Sequence, residues 1–172
     1  MNKTLIKDQF MYDKYEEVFG EWKDSPIKYL EIGVYKGSSL EWAKDYFKNG
    51  IIYGWDIDIQ QCEAKDNRIK LYQIDQNDKY AILNAINTMG KMDIIIDDAS
   101  HLPIETMNTF ILLWEHLNKG GYYVIEDWFA GITTPVHYGM QHIITNIISL
   151  SKVLNITRVD ITNNYAIFRK GW

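Results

Sequence analysis

Five short apolar runs, each leading into an acidic residue, alternate with segments of helical period. No other feature constrains this chain as much. The runs are 28–32, 51–56, 69–75, 93–97 and 122–126. Their near-continuous apolar character suits strands buried on both faces, hence a parallel sheet covered by helices. Between them, apolar residues recur three and four apart. Leu40, Ala43 and Phe47 do so in 38–47, and Tyr80, Leu83 and Ile86 in 77–89. After Pro103, a helix-start residue, the spacing runs through Met107, Phe110, Ile111, Trp114 and Leu117. Ile143, Ile144, Ile147 and Ile148 repeat it in 140–154, and a further helix is expected over 13–22. The stretch 60–66 carries the weakest helical pattern.

The tail changes period. Segments 155–162 and 165–169 flank Asn163-Asn164, a pair that tolerates positive φ and so suits a tight turn. The expectation is an α/β fold: a doubly wound, mostly parallel seven-stranded sheet, Rossmann-like, with a C-terminal antiparallel hairpin. One domain over 1–172 is expected, with 1–25 as an N-terminal helical segment, and no linker or repeat divides it. With 47% hydrophobic residues the chain has enough apolar surface to offset the entropy of ordering.

Composition also narrows the partners. The net charge is −5 and no Lys/Arg-rich run exists, which argues against nucleic acid. No apolar run reaches the roughly 20 residues of a membrane span, and the first residues lack the apolar core of a signal peptide. Cys62 is the only cysteine, so no intrachain disulfide forms. A cytoplasmic location is the expectation.

In open α/β sheets, ligands bind beyond the carboxyl ends of the strands. Those ends carry Glu31, Asp56, Asp75, Asp97-Asp98 and Glu126-Asp127. One acid there is ordinary loop solvation; a set of five repels phosphate and attracts cationic groups or a divalent metal. The first loop, Glu31-Ile-Gly33-Val-Tyr-Lys-Gly37-Ser38-Ser39, spaces its glycines for a tight turn and close backbone approach. It matches neither the dinucleotide fingerprint nor the phosphate loop, and by itself it is no more than a turn. Asp56 is placed to accept both hydrogen bonds of a ribose diol. Together these residues describe a nucleoside site without a phosphate cradle, with a carboxylate near a cationic tail, as S-adenosylmethionine requires.

The chain resembles class I S-adenosylmethionine-dependent methyltransferases. Within them it is similar to the metal-dependent sugar O-methyltransferases of macrolide and rhamnosyl glycosides and to the cephalosporin hydroxylase group. The resemblance rests on Tyr29-Leu-Glu-Ile-Gly-Val-Tyr-Lys-Gly-Ser-Ser-Leu-Glu-Trp42, Tyr53-Gly-Trp-Asp-Ile-Asp58, Asp75-Gln-Asn-Asp78, Ile96-Asp-Asp-Ala-Ser-His101 and Val124-Ile-Glu-Asp127. It implies that Glu31, Gly33 and Gly37, with Ser38 or Ser39, surround the methionine part. Asp56 would hold the ribose, and Asp75 and Gln76 would flank the adenine. Asp98, Glu126 and Asp127 would bind Mg²⁺, with His101 as general base. The chain departs from the family at Ala99, where glycine is usual, and the extra N-terminal domain of the larger relatives is expected to be missing.

The chemistry implied is methyl transfer to a hydroxyl of a sugar or glycoside, so the expected partner is a small-molecule or glycan acceptor. A homo-oligomer is compatible with it. Two alternatives stand beside it: a catechol-type O-methyltransferase, whose relatives commonly use Lys as base, and a non-catalytic S-adenosylmethionine-binding module, which needs no base. Asp97 and Asp98 face opposite ways on a strand, and Asp98 is the one assigned to metal. Neighbouring carboxylates would raise the His101 pKa and a bound Mg²⁺ would lower it. His116 and His142 read as surface or packing residues, and 128–139, with His137 and Tyr138, as either an acceptor lid or a cover for the core. Trp55 is left between core and cofactor pocket.

Overall fold

The computed structural model describes residues 9–172. Seven strands form one sheet: β1 Lys28–Ile32, β2 Ile51–Asp56, β3 Ile69–Gln73, β4 Met92–Asp97, β5 Leu117–Glu126, β6 Ile156–Ile161 and β7 Tyr165–Lys170. Their order is β3-β2-β1-β4-β5-β7-β6. The first five are parallel, and β7 runs antiparallel to both β5 and β6. The fold is the doubly wound sheet with a terminal hairpin that the apolar pattern implies. Strand order reverses between β1 and β4, so a crevice opens above their carboxyl ends.

Pleating sends alternate side chains to two cores. Tyr29, Ile52, Ile94, Ile96 and Val124 pack under α1 (Gln9–Phe19) and α2 (Ser38–Tyr46). Leu30, Ile32, Ile95 and Tyr123 pack under α3 (Lys79–Met89), α4 (Pro103–Trp114) and α6 (Met140–Ser149). Trp55 belongs to this second core and is fully buried. Each such buried side chain contributes about 1.5–3 kcal/mol of transfer free energy.

Several boundaries differ from those read in the sequence. Helix α4 ends at Trp114, and Leu117 opens β5 instead of extending the helix. The ladder with β4 breaks between Met92 and Ile94, which accommodates the Asn118–Gly121 stretch as a bulge. On α3 the buried residues are Ile82, Ile86 and Met89, while Tyr80 is exposed. Asp78 caps that helix by accepting from the Tyr80 and Ala81 amides, so it starts two residues late and its inward face is rotated. Strand β3 stops at Gln73, leaving Asp75 in an exposed turn where its Oδ1 accepts from the Asn77 amide at 2.8 Å.

The last helical stretch breaks at Leu150 into α6 and a short α7, Ser151–Leu154. Residues 60–66 form only the end of a 3₁₀ turn, Ile59–Gln61, followed by irregular chain. At the other end, α1 begins at Gln9 and gives way to a 3₁₀ turn, Gly20–Trp22. Residues 1–8 of the expected N-terminal segment lie outside the described residues. The 128–139 segment is itself structured, with α5 (Ala130–Thr133) and a 3₁₀ turn Pro135–His137. No helix among the described residues is long and apolar enough to cross a membrane.

Candidate active site

Two half-sites share the crevice. The first lies over β1, β2 and β3. A cavity of ≈ 240 Å³ is lined by Gly33, Asp56, Ile57, Gln76, Ala99 and Ser100, among others. Gly33 has φ +86°, and a Cβ there would lie 2.2 Å from the Asp98 carbonyl oxygen. Only glycine lets the β1 loop pass this close to the β4 loop. The chain then reverses through Tyr35 at φ 45° and Gly37 at φ 84°, closed by the Gly37 amide donating to the Val34 carbonyl at 2.7 Å. Ser38 and Ser39 open α2 directly after it.

The Asp56 carboxylate accepts from two backbone amides, Tyr35 at 2.8 Å and Asp58 at 3.0 Å. Those bonds fix its orientation at the cavity wall and leave acceptor capacity for a diol, since a carboxylate offers about four lone-pair sites. Gln76 also lines the cavity, yet its amide is committed elsewhere. Nε2 donates to Asp97 Oδ1 at 3.0 Å, and Oε1 accepts from the Ser100 hydroxyl at 2.7 Å. Gln76 therefore serves the cavity as a wall and braces the β4 loop beneath it. The mainly apolar walls, with the oriented Asp56 carboxylate and Asp75 also in the lining, fit an adenosyl group.

The second half-site lies over β4 and β5. Asp98, His101 and Asp127 bring one ligand atom each to within 4.8 Å of one another. Asp97 and Asp98 separate as the pleat requires. Asp97 is buried, bonded by Gln76 and by the Tyr123 hydroxyl at 3.3 Å, and burial pushes its pKa up to about 7. Asp98 lies at the open edge, with His101 Nε2 3.8 Å from its Oδ1. Burial pulls the His101 pKa below its ordinary 6.5, outweighing the raising influence of Asp127 and Glu126. At neutral pH the ring is uncharged, so the 3.8 Å approach is not an ion pair.

Glu31 and Glu126 are both buried and sit on the sheet face that α1 covers. The Tyr15 hydroxyl of α1 donates to Glu126 Oε1, and the Tyr29 hydroxyl donates to Glu31 Oε2 at 3.0 Å. Burial, with Glu126, Glu31 and Asp98 nearby, holds the Tyr15 hydroxyl protonated well beyond its ordinary range. The Tyr15 contact spans 111 residues, and no spacing pattern announces it. Of the proposed metal set, Asp98 and Asp127 converge with His101, whereas Glu126 lies one residue deeper, bonded to Tyr15. Two carboxylates beside a neutral imidazole are donors that suit a divalent cation taking hard oxygen ligands.

Two of the converging residues are in the left-handed region, His101 at φ 52° and Asp127 at φ 51°. Non-glycine residues there cost of order 1–3 kcal/mol and cluster at functional sites. The Asp127 amide donates to the Asn164 carbonyl at 2.7 Å, so the β6–β7 turn helps hold it. His137 Nδ1 lies 3.1 Å from the His101 carbonyl oxygen. His116 is half-buried behind α4 and His142 is exposed.

Sheet order and site together define the class: this is the class I methyltransferase fold. In sequence the chain is similar to sugar O-methyltransferases of macrolide and rhamnosyl glycosides. It is 38% identical over 124 residues to mycinamicin VI 2''-O-methyltransferase of Micromonospora griseorubida, a match covering 67% of this chain and 31% of that protein. With demethylmacrocin O-methyltransferase of Streptomyces fradiae it shares 36% over 124 residues, again 67% and 31%. The structure superimposes on a methyltransferase from the mycinamycin biosynthetic pathway, solved in complex with Mg and SAH, with TM-score 0.82 and 30% identity. That match covers 92% of this chain and 49% of the other. The chain thus spans about a third of the length of the curated relatives it matches. No protein-family model matches it.

Proposed function

We propose that this protein is an S-adenosylmethionine-dependent, Mg²⁺-dependent O-methyltransferase acting on a hydroxyl of a sugar or glycoside, and that 1–172 works as one domain. The convergence of Asp98, His101 and Asp127 beside the Gly33–Asp56 cavity carries this reading. The similar proteins are named for 2''-O-methylation of mycinamicin VI and O-methylation of demethylmacrocin, and one solved relative holds Mg, SAH and mycinamycin VI.

Asp56 would accept the ribose hydroxyls, with Asp75 and Gln76 forming the adenine side of the cavity. Glu31, Gly33, Gly37, Ser38 and Ser39 would surround the methionine part, where the buried Glu31 offsets positive charge. Asp98, Glu126 and Asp127 would hold the metal, Glu126 being kept in place by Tyr15. When bound, Mg²⁺ lowers the pKa of a coordinated hydroxyl and orients it, and S-adenosylmethionine supplies an already activated methyl group. His101, neutral at physiological pH, would take the hydroxyl proton on its ring nitrogen. A binding module needs no such base.

The test is methyl transfer from labelled S-adenosylmethionine to a panel of rhamnosides, other glycosides and catechols, with Mg²⁺ and after chelation. Metal-dependent transfer to glycosides is expected. Transfer to catechols alone, or cofactor binding with no transfer to any acceptor, would overturn the reading.

A further inference from the structure

We propose that His137 is a positioning residue for His101, and that it acts through the His101 main chain. A carbonyl oxygen can only accept, so the 3.1 Å contact requires the proton on His137 Nδ1. The carbonyl it holds belongs to a residue at φ 52°, in the left-handed region that non-glycine residues occupy only a few per cent of the time, so a contact that holds this backbone matters. The two rings stand nearly perpendicular, at 81°, with centroids 5.9 Å apart. His137 thus braces both the backbone and the ring of the residue that faces Asp98 and Asp127.

The brace is itself fixed. The His137 amide donates to the Thr134 carbonyl at 3.0 Å, closing the 3₁₀ turn. Its own carbonyl oxygen lies 2.6 Å from where a Cβ on Gly131 would be, so α5 packs directly against it. Gly139, at φ +111°, passes 3.1 Å from the Pro103 ring by the same measure, two residues after His101. The hydrogen bond therefore ties the loop after β4, which carries His101, to the 128–139 segment after β5, which begins next to Asp127. One contact between residues 36 apart sets the relation between the base and one of the carboxylates it faces.

This inference rests on His101 being the base of the proposed reaction, and its test separates the two. The full chain is compared as wild type, His137→Ala, His137→Asn and His137→Gln. Asparagine places its side-chain N–H close to the position of Nδ1–H, whereas glutamine overshoots it. His137→Ala should lower kcat about 10- to 100-fold, as a small misplacement of a reacting group does. The acceptor KM and the S-adenosylmethionine affinity should change little, and His137→Asn should recover most of kcat while His137→Gln does not. Independently of turnover, ¹⁵N-edited imidazole spectra at alkaline pH should show His137 as the Nδ1–H tautomer, and His137→Ala should shift the His101 backbone resonances.

Wild-type kcat in His137→Ala, no rescue by asparagine, or an Nε2–H tautomer would each overturn the proposal. If the wild type methylates no acceptor, the functional reading falls, and the tautomer and the His101 resonances still decide this one. If His137→Ala does not fold, the asparagine and glutamine variants and the wild-type tautomer decide it.

Discussion

The two half-sites are built by different means. Over β1–β3, the groups that shape the cavity come from short loops directly attached to strands, and apart from Gln76, which reaches Asp97 and Ser100, their bonds are local or between neighbouring strands. Asp56 is held by Tyr35 and Asp58, the second only two residues away. Over β4–β5, every important group depends on a distant segment. Glu126 is held by Tyr15 from α1, Asp127 by Asn164 from the hairpin turn, and the His101 main chain by His137. The strain is also unequal: His101 and Asp127 carry left-handed backbone on side chains that disfavour it, while the first half-site places most of its positive φ on glycines. Nucleoside binding tolerates a generic scaffold, whereas a base and metal ligands must be held to a fraction of an ångström, which takes support from several elements.

That contrast predicts that the halves can be broken separately. The largest effect should come from stripping the metal: chelation should abolish methyl transfer while leaving S-adenosylmethionine binding, expected in the micromolar range or about −8 kcal/mol, largely intact by calorimetry. Full activity in excess EDTA would refute a metal role for the Asp98–Asp127 edge.

His101→Ala should lose about 10²–10⁴-fold in turnover, again with cofactor affinity nearly unchanged. The pH profile sharpens this. Burial pulls the His101 pKa below 6.5, so the neutral, proton-accepting ring is populated on the acid side of that value. Turnover should rise with pH through the acidic range and be level from neutrality upward. A rise centred well above neutrality would assign the base elsewhere.

Gly33→Ala should break both halves at once. The added Cβ would meet the Asp98 carbonyl at 2.2 Å with φ at +86°, forcing apart the loops that carry the cavity and the carboxylates. A loss of about 3–4 kcal/mol of stability is expected by chemical denaturation. A variant as stable as the wild type would show that the two loops are not locked together.

The smallest effect should be confined to the cofactor half. Asp56→Ala should weaken S-adenosylmethionine binding by about 1–3 kcal/mol, the cost of leaving hydroxyls unpaired, with Mg²⁺ binding unaffected. Equal loss of both ligands in calorimetric titrations would mean that the halves are not separable.

Most of the sheet was legible because buried parallel strands are nearly continuous apolar runs, and five of them stand out from segments of period 3.6. Boundaries were less legible where polar side chains decide them. The Asp78 cap delays α3 and turns Tyr80 outward, and the Asn118–Gly121 bulge hands Leu117 to β5. The acidic residues were legible because strand ends in this fold fall at one edge, so listing the residues after each run lists the groups that meet there. Alternation along β4 even separates Asp97 from Asp98. Roles within the set were not. Gln76, a wall of the cavity, also spends its amide on Asp97 and Ser100, a bracing role that no spacing announces.

The sequence by itself thus determined the layered α/β architecture, the glycine-bearing first loop and the ring of carboxylates, because each is encoded by periodicity or by position next to a strand. Only the tertiary structure decided how that ring is held. Tyr15 reaches Glu126 across 111 residues and His137 reaches His101 across 36. Such contacts follow from how α1 and the 128–139 segment dock on the sheet, and docking depends on the packing of whole elements, which no local pattern of residues carries.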